Sequence, residues 1–283
     1  MDKLIDLGHE VHVIDNYSAK HHEHPWINKS AVNIEHDITL PLPDIHGEFE
    51  AVIHLASKIS VEECEQDFQA VVDTNIIGTN NVLQWCVAHK VPRLIFASSS
   101  AIYGECPGLP ELYYPYNPMS FYAWSKLSGE ALCSTYANKH SIECCILRYF
   151  NVYGDRSPDA GKYMPVMNIF KNNLRRGEPF KLYNNGDNSR DFVHVSDVVT
   201  ANILAANASG LNKIEVFNIG TGSPVTISRL AGNLSDHPVE YLNKRPNEPS
   251  MSWADNNKAK NMLQWYPDKH RLYQYLKELE SSV

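Results

Sequence analysis

The chain has 283 residues, and its 33 acidic side chains outnumber 25 basic ones for a formal net charge of −8. That balance argues against a broad basic face for nucleic acid, while leaving room for a local basic pocket that takes a phosphorylated small molecule. No apolar run approaches the roughly 20 residues a helix needs to span a bilayer, so no membrane partner is expected.

Taken in chain order, Met1-Asp2-Lys3-Leu4-Ile5-Asp6-Leu7-Gly8 reads as the last turns of a helix closed by a glycine cap. Four short, apolar, β-branched runs follow, at Glu10–Asn16, Ala51–Ala56, Arg93–Ser98 and Cys144–Phe150. Near-continuous apolar runs of this kind suit strands buried on both faces of a parallel sheet. Helical spacing predicts crossovers at about Phe68–His89 and Ser120–Asn138. This alternation predicts an α/β, Rossmann-type, doubly wound parallel sheet over residues 1–150. After Asn151 the loops lengthen. Short strands are predicted at Lys181–Tyr183, Phe192–Val195 and Glu215–Ile219, with helices near Val166–Arg176, Ser196–Ala208, Ile227–Asn233 and Asn256–Leu263. Residues 151–283 therefore read as a smaller mixed α/β substrate lobe, interleaved with the first.

None of the six cysteines forms a C-x-x-C pair. Adjacent Cys144 and Cys145 in a strand would point to opposite faces. Buried free thiols in a reducing, cytoplasmic compartment are the expectation. His21-His22-Glu23-His24 is too compact to converge on one ion and has no distant ligand cluster, so it reads as a solvated loop and no metal is expected.

Chemistry concentrates at three places. Tyr122-Ala123-Trp124-Ser125-Lys126 puts a phenol and an ammonium on one helix face. A neighbouring cation stabilises phenolate and makes tyrosine a usable base near neutral pH. The strand Phe96-Ala97-Ser98-Ser99-Ser100 ends in three hydroxyls at the edge where α/β folds hold ligands. Arg148-Tyr149-Phe150-Asn151-Val152-Tyr153-Gly154 is another strand running into a polar, aromatic turn.

Together with Val13-Ile14-Asp15-Asn16, His36-Asp37-Ile38, His54-Leu55-Ala56, Asn75 with Gly78-Thr79, Arg190-Asp191-Phe192-Val193-His194-Val195, Asn218-Ile219-Gly220 and Arg245-Pro246-Asn247-Glu248-Pro249, these segments resemble the extended short-chain dehydrogenase/reductase family. Within it they resemble sugar-nucleotide epimerases of the UDP-glucose 4-epimerase type. The resemblance implies NAD as cofactor and a nucleotide-sugar, UDP-hexose, as substrate. It assigns Asp15 and Asn16 to the adenosine ribose, Asp37 and Ile38 to the adenine, and Leu55, Ala56 and Lys58 to the cofactor channel. Asn75 and Phe150 would lie on the nicotinamide side. Among three adjacent serines, and to within one position, Ser99 matches the catalytic hydroxyl. Ser98 then supports the cofactor side and Ser100 the substrate side. Tyr122 is the implied acid/base, and Lys126 lowers its pKa and holds the nicotinamide ribose. Asn151, Arg190 and Arg245 would hold the diphosphate, and Glu248 the nucleotide's ribose. The implied reaction removes the sugar hydroxyl's proton and the carbon's hydride, turns the transient ketone and returns the hydride to its other face, regenerating NAD.

The resemblance further implies a homodimer through the helices near 68–89 and 120–138. A rival reading is a 4,6-dehydratase, which would need an acid pair after the catalytic hydroxyl, where Ser100 and Ala101 stand. The family's first strand and glycine-rich phosphate turn would precede Met1. The expectation is therefore an incomplete version of a longer protein, with a short form of impaired NAD binding, or a silent binding protein, as the alternative.

Overall fold

The computed structural model describes residues 1–19, 26–108, 111, 116–158, 164–234, 237–245 and 248–281. The His21–His24 segment lies outside the described residues.

The elements run in the order α1 (Asp2–Asp6), β1 (His12–Asp15), β2 (Val32–Glu35), β3 (Val52–His54), α2 (Val61–Gln66), α3 (Phe68–Val71), a π-helical segment (Val72–Gly78) and α4 (Thr79–Ala88). Next come β4 (Arg93–Ser99), a 3-10 turn (Ser100–Tyr103), β5 (Cys106–Pro107), α5 (Phe121–Lys139), β6 (Glu143–Tyr149), β7 (Asn151–Tyr153), α6 (Val166–Arg176), β8 (Phe180–Tyr183) and β9 (Ser189–His194). The chain continues through α7 (Val195–Asn207), β10 (Ile214–Ile219), β11 (Pro224–Thr226), α8 (Ile227–Ala231), β12 (Val239–Leu242), β13 (Met251–Trp253), α9 (Asn257–Leu263) and α10 (Arg271–Ser281).

The α/β architecture expected from sequence is present. Strands β3, β4, β6 and β10 form an all-parallel sheet in the order β10-β6-β4-β3. Strands β1 and β2 form a separate parallel pair, and Ile14 of β1 packs into the same core as Leu94 and Phe96 of β4. Helices cover both faces of the larger sheet. On one side Val82, Leu83 and Cys86 of α4 and Cys133 and Ala137 of α5 pack against β4 and β6. On the other, Ala201 and Ala205 of α7 and Leu263 of α9 pack against Ile95, Leu147 and Phe217. Each fully buried leucine or isoleucine of these layers stabilises the fold by about 1.5–3 kcal/mol. Cys144 and Cys145 point into the two opposite cores, as strand alternation requires, and all six cysteines are buried and free.

One expectation needs correcting. The sequence pattern puts the run Glu215–Ile219 in the smaller lobe, but β10 is an edge strand of the parallel sheet. Ile214 and Val216 meet one core and Phe217 and Ile219 the other, so the strand is covered on both faces. The remaining strands build the smaller lobe, with β11-β9-β13-β5 in one sheet, β7 on β9, and β8 beside β12. Its core contains Phe170, Phe180, Leu182, Leu230 and Leu276. The helix predicted over 68–89 is interrupted by the π-helical segment, a one-turn widening that places Asn75 inward.

Gly129 sits mid-helix in α5, where glycine costs about 1 kcal/mol against alanine. A Cβ there would lie 2.4 Å from the Phe96 ring, so only glycine lets α5 approach β4 this closely. Among the described residues no helix is long and apolar enough to cross a membrane, and no three His, Cys, Asp or Glu side chains group as a metal site.

Candidate active site

Helix α5 starts at Ser120, whose side chain accepts from the Ala123 N–H at 3.1 Å. Tyr122 therefore stands in the first turn of a 19-residue helix, where the helix dipole favours negative charge on the phenol. One turn on, Lys126 is 5% exposed. Its Nζ lies 5.8 Å from the Tyr122 ring centre and donates to the Ala97 carbonyl at 2.8 Å. Burial pushes the Lys126 pKa down to about 8.

The same helix face carries Glu130, one further turn along. Glu130 meets Arg148 of β6 with two near-parallel bonds, Nε to Oε1 at 2.9 Å and Nη2 to Oε2 at 2.7 Å. Both side chains are buried. The other donors of Arg148 reach the hydroxyls of Tyr103 at 2.6 Å and Tyr116 at 2.8 Å. The Tyr103 hydroxyl in turn donates to Asn218 Oδ1 at 2.8 Å. The Ser98 hydroxyl donates to Glu130 at 2.5 Å, so Ser98 braces α5 against β4 rather than facing an open site.

Strand alternation separates the other serines. Phe96 and Ser98 face α5, whereas Ile95 packs in the opposite core. Ser99 is extended and on the Ile95 side, and its Oγ caps the 3-10 turn by accepting from Ala101 N at 3.2 Å. Ser100 begins the 3-10 turn that follows the strand.

Residues expected on the cofactor side line the carboxyl ends of the parallel strands. Asp15 and Asn16 end β1, Asp37 follows β2, and Leu55, Ala56 and Lys58 follow β3, with Leu55 58% exposed at this edge. Asn16 donates to Asp37 at 2.8 Å, and Asp15 accepts from Tyr17 N at 2.8 Å. Asn75 is an internal brace: its amide clasps the Lys58 backbone at 2.7 and 3.0 Å and donates to Ser125 beside Lys126 at 2.8 Å. Ile38 is 7% exposed and packs in the core under Gly78, so its side chain is turned away from this edge. Phe150 is buried with Ile102 and Tyr103, directly under the serine turn.

His54 at the end of β3 is buried, with Nε2 2.9 Å from the Thr79 hydroxyl. Burial and then the Lys126 charge push its pKa from 6.5 down to about 3. The unfolded chain takes up this proton below about pH 6.5 and the folded chain does not, so the contribution is present above that pH and lost towards pH 3. Between about pH 7 and 5 the wild type should lose roughly 2 kcal/mol more stability than His54→Gln. Urea melts at both pH values check this, and equal losses would refute it.

In the smaller lobe, Arg190 of β9 meets Glu248 at 3.0 Å. Glu248 Oε2 is buried without a hydrogen-bond partner among the described residues. Asn151 donates to the Asp191 carbonyl at 3.3 Å, beside Arg190. Arg245 is exposed, with its guanidinium 3.7 Å from the Tyr183 ring centre. Asp191 is fully buried and accepts from Thr221 N, Thr221 Oγ1, Gly222 N and Ala254 N at 2.5–3.0 Å, which ties β9 to the turn after β10 and to the end of β13.

The profile of the NAD-dependent epimerase/dehydratase family matches residues 1–220. The chain belongs to this family. A UDP-glucuronate 4-epimerase of Thermodesulfobacterium geofontis is 34% identical over 229 residues, covering 77% of this chain and 68% of that protein. A UDP-glucose 4-epimerase of Thermotoga maritima, solved with UDP-glucose, superposes with a TM-score of 0.86 at 32% identity over 99% of this chain and 94% of that one. A UDP-N-acetylglucosamine 4-epimerase of Methanobrevibacter ruminantium, solved with UDP-N-acetylmuramic acid, gives 0.88 at 30% identity, covering 99% and 92%.

The residues present suit the cofactor of an NAD-dependent epimerase/dehydratase. An exposed carboxylate at the end of β1 matches a ribose diol, an exposed apolar edge follows β3, and a buried cation stands beside the tyrosine. The sequence signal for Glu130 is that it continues the spacing of four from Tyr122 and Lys126, and Arg148 opens the strand-to-turn motif Arg148–Gly154. Nothing local announces that the two would meet.

Proposed function

We propose that this chain interconverts UDP-hexoses that differ in configuration at C4. The reading rests above all on the Tyr122–Lys126 pair standing at the serine-bearing end of β4, and it is supported by three similar proteins that share the UDP moiety and the 4-epimerase activity in their names.

Bound NAD supplies the hydride acceptor and donor at the sugar carbon, held by Asp15, Asn16, Lys58 and Lys126. Tyr122 takes the proton of the 4-hydroxyl and later returns it. Lys126 and the start of α5 stabilise the phenolate between those events. A serine hydroxyl, Ser99 or Ser100, bonds the same sugar oxygen. Arg190, Arg245 and Asn151 hold the diphosphate, and the unpartnered Oε2 of Glu248 accepts from a ribose hydroxyl.

A dehydratase would need a free acid beside the serines. Glu130 is tied to Arg148, and Glu105 bonds the backbone of residues 250 and 251, which favours the epimerase. Incubation with UDP-glucose, followed by product analysis, tests the reading. UDP-galactose is expected. A 4-keto-6-deoxy product would move the chain to the dehydratases, and binding without turnover would make it a silent binder.

The α3–α4 and α5 helices also favour a homodimer. Phe68, Phe121 and Trp124 are 40%, 40% and 39% exposed, and the Phe68 ring of α3 packs at a tilt against Phe121 and Trp124 of α5, with centroids 4.5 and 5.4 Å apart. A second copy of the chain covers them, giving a sedimentation mass about twice 32.1 kDa. A wild-type monomer at micromolar concentration would refute it. The six free buried thiols support a reducing compartment, the cytoplasm; fractionation into an oxidising compartment would overturn that placement.

A further inference from the structure

Glu105 follows the serine turn and precedes β5, and no step described above uses it as a ligand. Its two carboxylate oxygens accept consecutive backbone N–H groups, from Ser250 at 2.7 Å and Met251 at 3.0 Å. Partial burial opposes its charge, yet these bonds hold the carboxyl below its ordinary range.

Residues 250 and 251 are where the substrate-side loops converge. Met251 opens β13 opposite Ser189, and Ser252 lies opposite Arg190. Ser189 N donates to the Ser250 carbonyl at 2.9 Å. Lys244, next to Arg245, reaches the Ser250 hydroxyl at 2.6 Å. Two residues before Ser250 stands Glu248, on Arg190. On the other side, Gly104 and the 3-10 turn connect Glu105 directly to Ser99 and Ser100.

We propose that Glu105 is a positioning residue that sets the spacing between the diphosphate-binding arginines and the reacting hydroxyls, by tying the loop of Arg245 and Glu248 to the catalytic turn. Its carboxylate makes two charge-assisted bonds to main chain, so it acts on backbone position rather than on substrate. Displacement of about 1 Å between a binding group and the reacting atoms is enough to change rates strongly. The proposal rests on the UDP-hexose reading above.

Glu105→Gln is the informative change, because it keeps the shape, removes the charge and turns an amide N–H towards one of the two backbone donors. Calorimetric titration with UDP and steady-state kinetics with UDP-glucose should show UDP affinity and KM each weakened about tenfold, the size expected when one charged hydrogen bond is lost. Turnover at saturation should fall less than about threefold, with bound NAD and melting temperature unchanged. Glu105→Ala should deepen the same KM effect. If the unaltered protein binds no UDP, the UDP-hexose reading itself fails. If it binds UDP and the Gln variant binds it equally well, the Glu105 proposal alone fails. Parallel loss of UDP affinity, bound NAD and melting temperature would also overturn it, as the mark of a general structural role.

Discussion

Tyr122→Phe should lower turnover of a UDP-hexose by about 10²–10⁴-fold, the usual contribution of a positioned acid/base, while leaving nucleotide-sugar affinity nearly unchanged. The phenol stands in the first turn of α5 and has one buried cation, Lys126, on its own helix face. Removing the hydroxyl deletes the proton acceptor and little packing, because Tyr122 is only partly buried. The active form pairs a phenolate with a charged lysine. Since burial pushes Lys126 down to about 8, activity should rise to a plateau and fall again above about pH 8, and Lys126→Met should abolish the alkaline fall along with most of the rate. A Tyr122→Phe enzyme retaining more than about a tenth of wild-type turnover would remove Tyr122 from the mechanism.

Glu130→Ala should cost about 3–5 kcal/mol of stability, the range for breaking a buried ion pair from one side. Arg148 is 1% exposed and would keep its charge with two tyrosine hydroxyls and the Glu111 carbonyl, and with no carboxylate bonded to it among the described residues. Ser98 would lose its acceptor at the same time. The pair bridges β6, α5 and the end of β4, so the loss should reach the active site as well as the melting curve. The double change Glu130→Leu with Arg148→Met should cost less than Glu130→Ala alone, because it removes both charges together. Urea unfolding of the three variants checks this. A Glu130→Ala penalty below about 1 kcal/mol, or a double variant weaker than the single one, would show that the pair is not an uncompensated charge when broken.

Much of the sheet was legible because a strand buried on both faces is apolar along its whole length. The runs at 93–98 and 144–150 are such strands, in β4 and β6. Strand Val32–Glu35 escaped notice because it is short and half polar, and lies in a two-stranded sheet with one exposed residue at each end. Helix α10 carries Leu272, Leu276 and Leu279 at helical spacing, a pattern present in the sequence itself. The placement of β10 was misread because a six-residue strand carries no mark of which sheet it will join.

What the sequence by itself determined is local. Tyr122, Lys126 and Glu130 share a helix face because of their spacing, and three hydroxyls end a buried strand because of their order. The carboxyl-edge position of Asp15, Leu55 and the serines follows from strand direction alone. Only the tertiary structure decided which serine faces α5, since alternation defines two faces but not which of them a helix covers. It alone brought Arg190 to Glu248 across 58 positions and Glu105 to Ser250 across 145. It also turned Ile38 into the core and used Ser98 as a brace on Glu130. The physical reason is the same in each case. Periodicity within an element encodes direction along that element, whereas a partner on another element depends on the path of the chain between them.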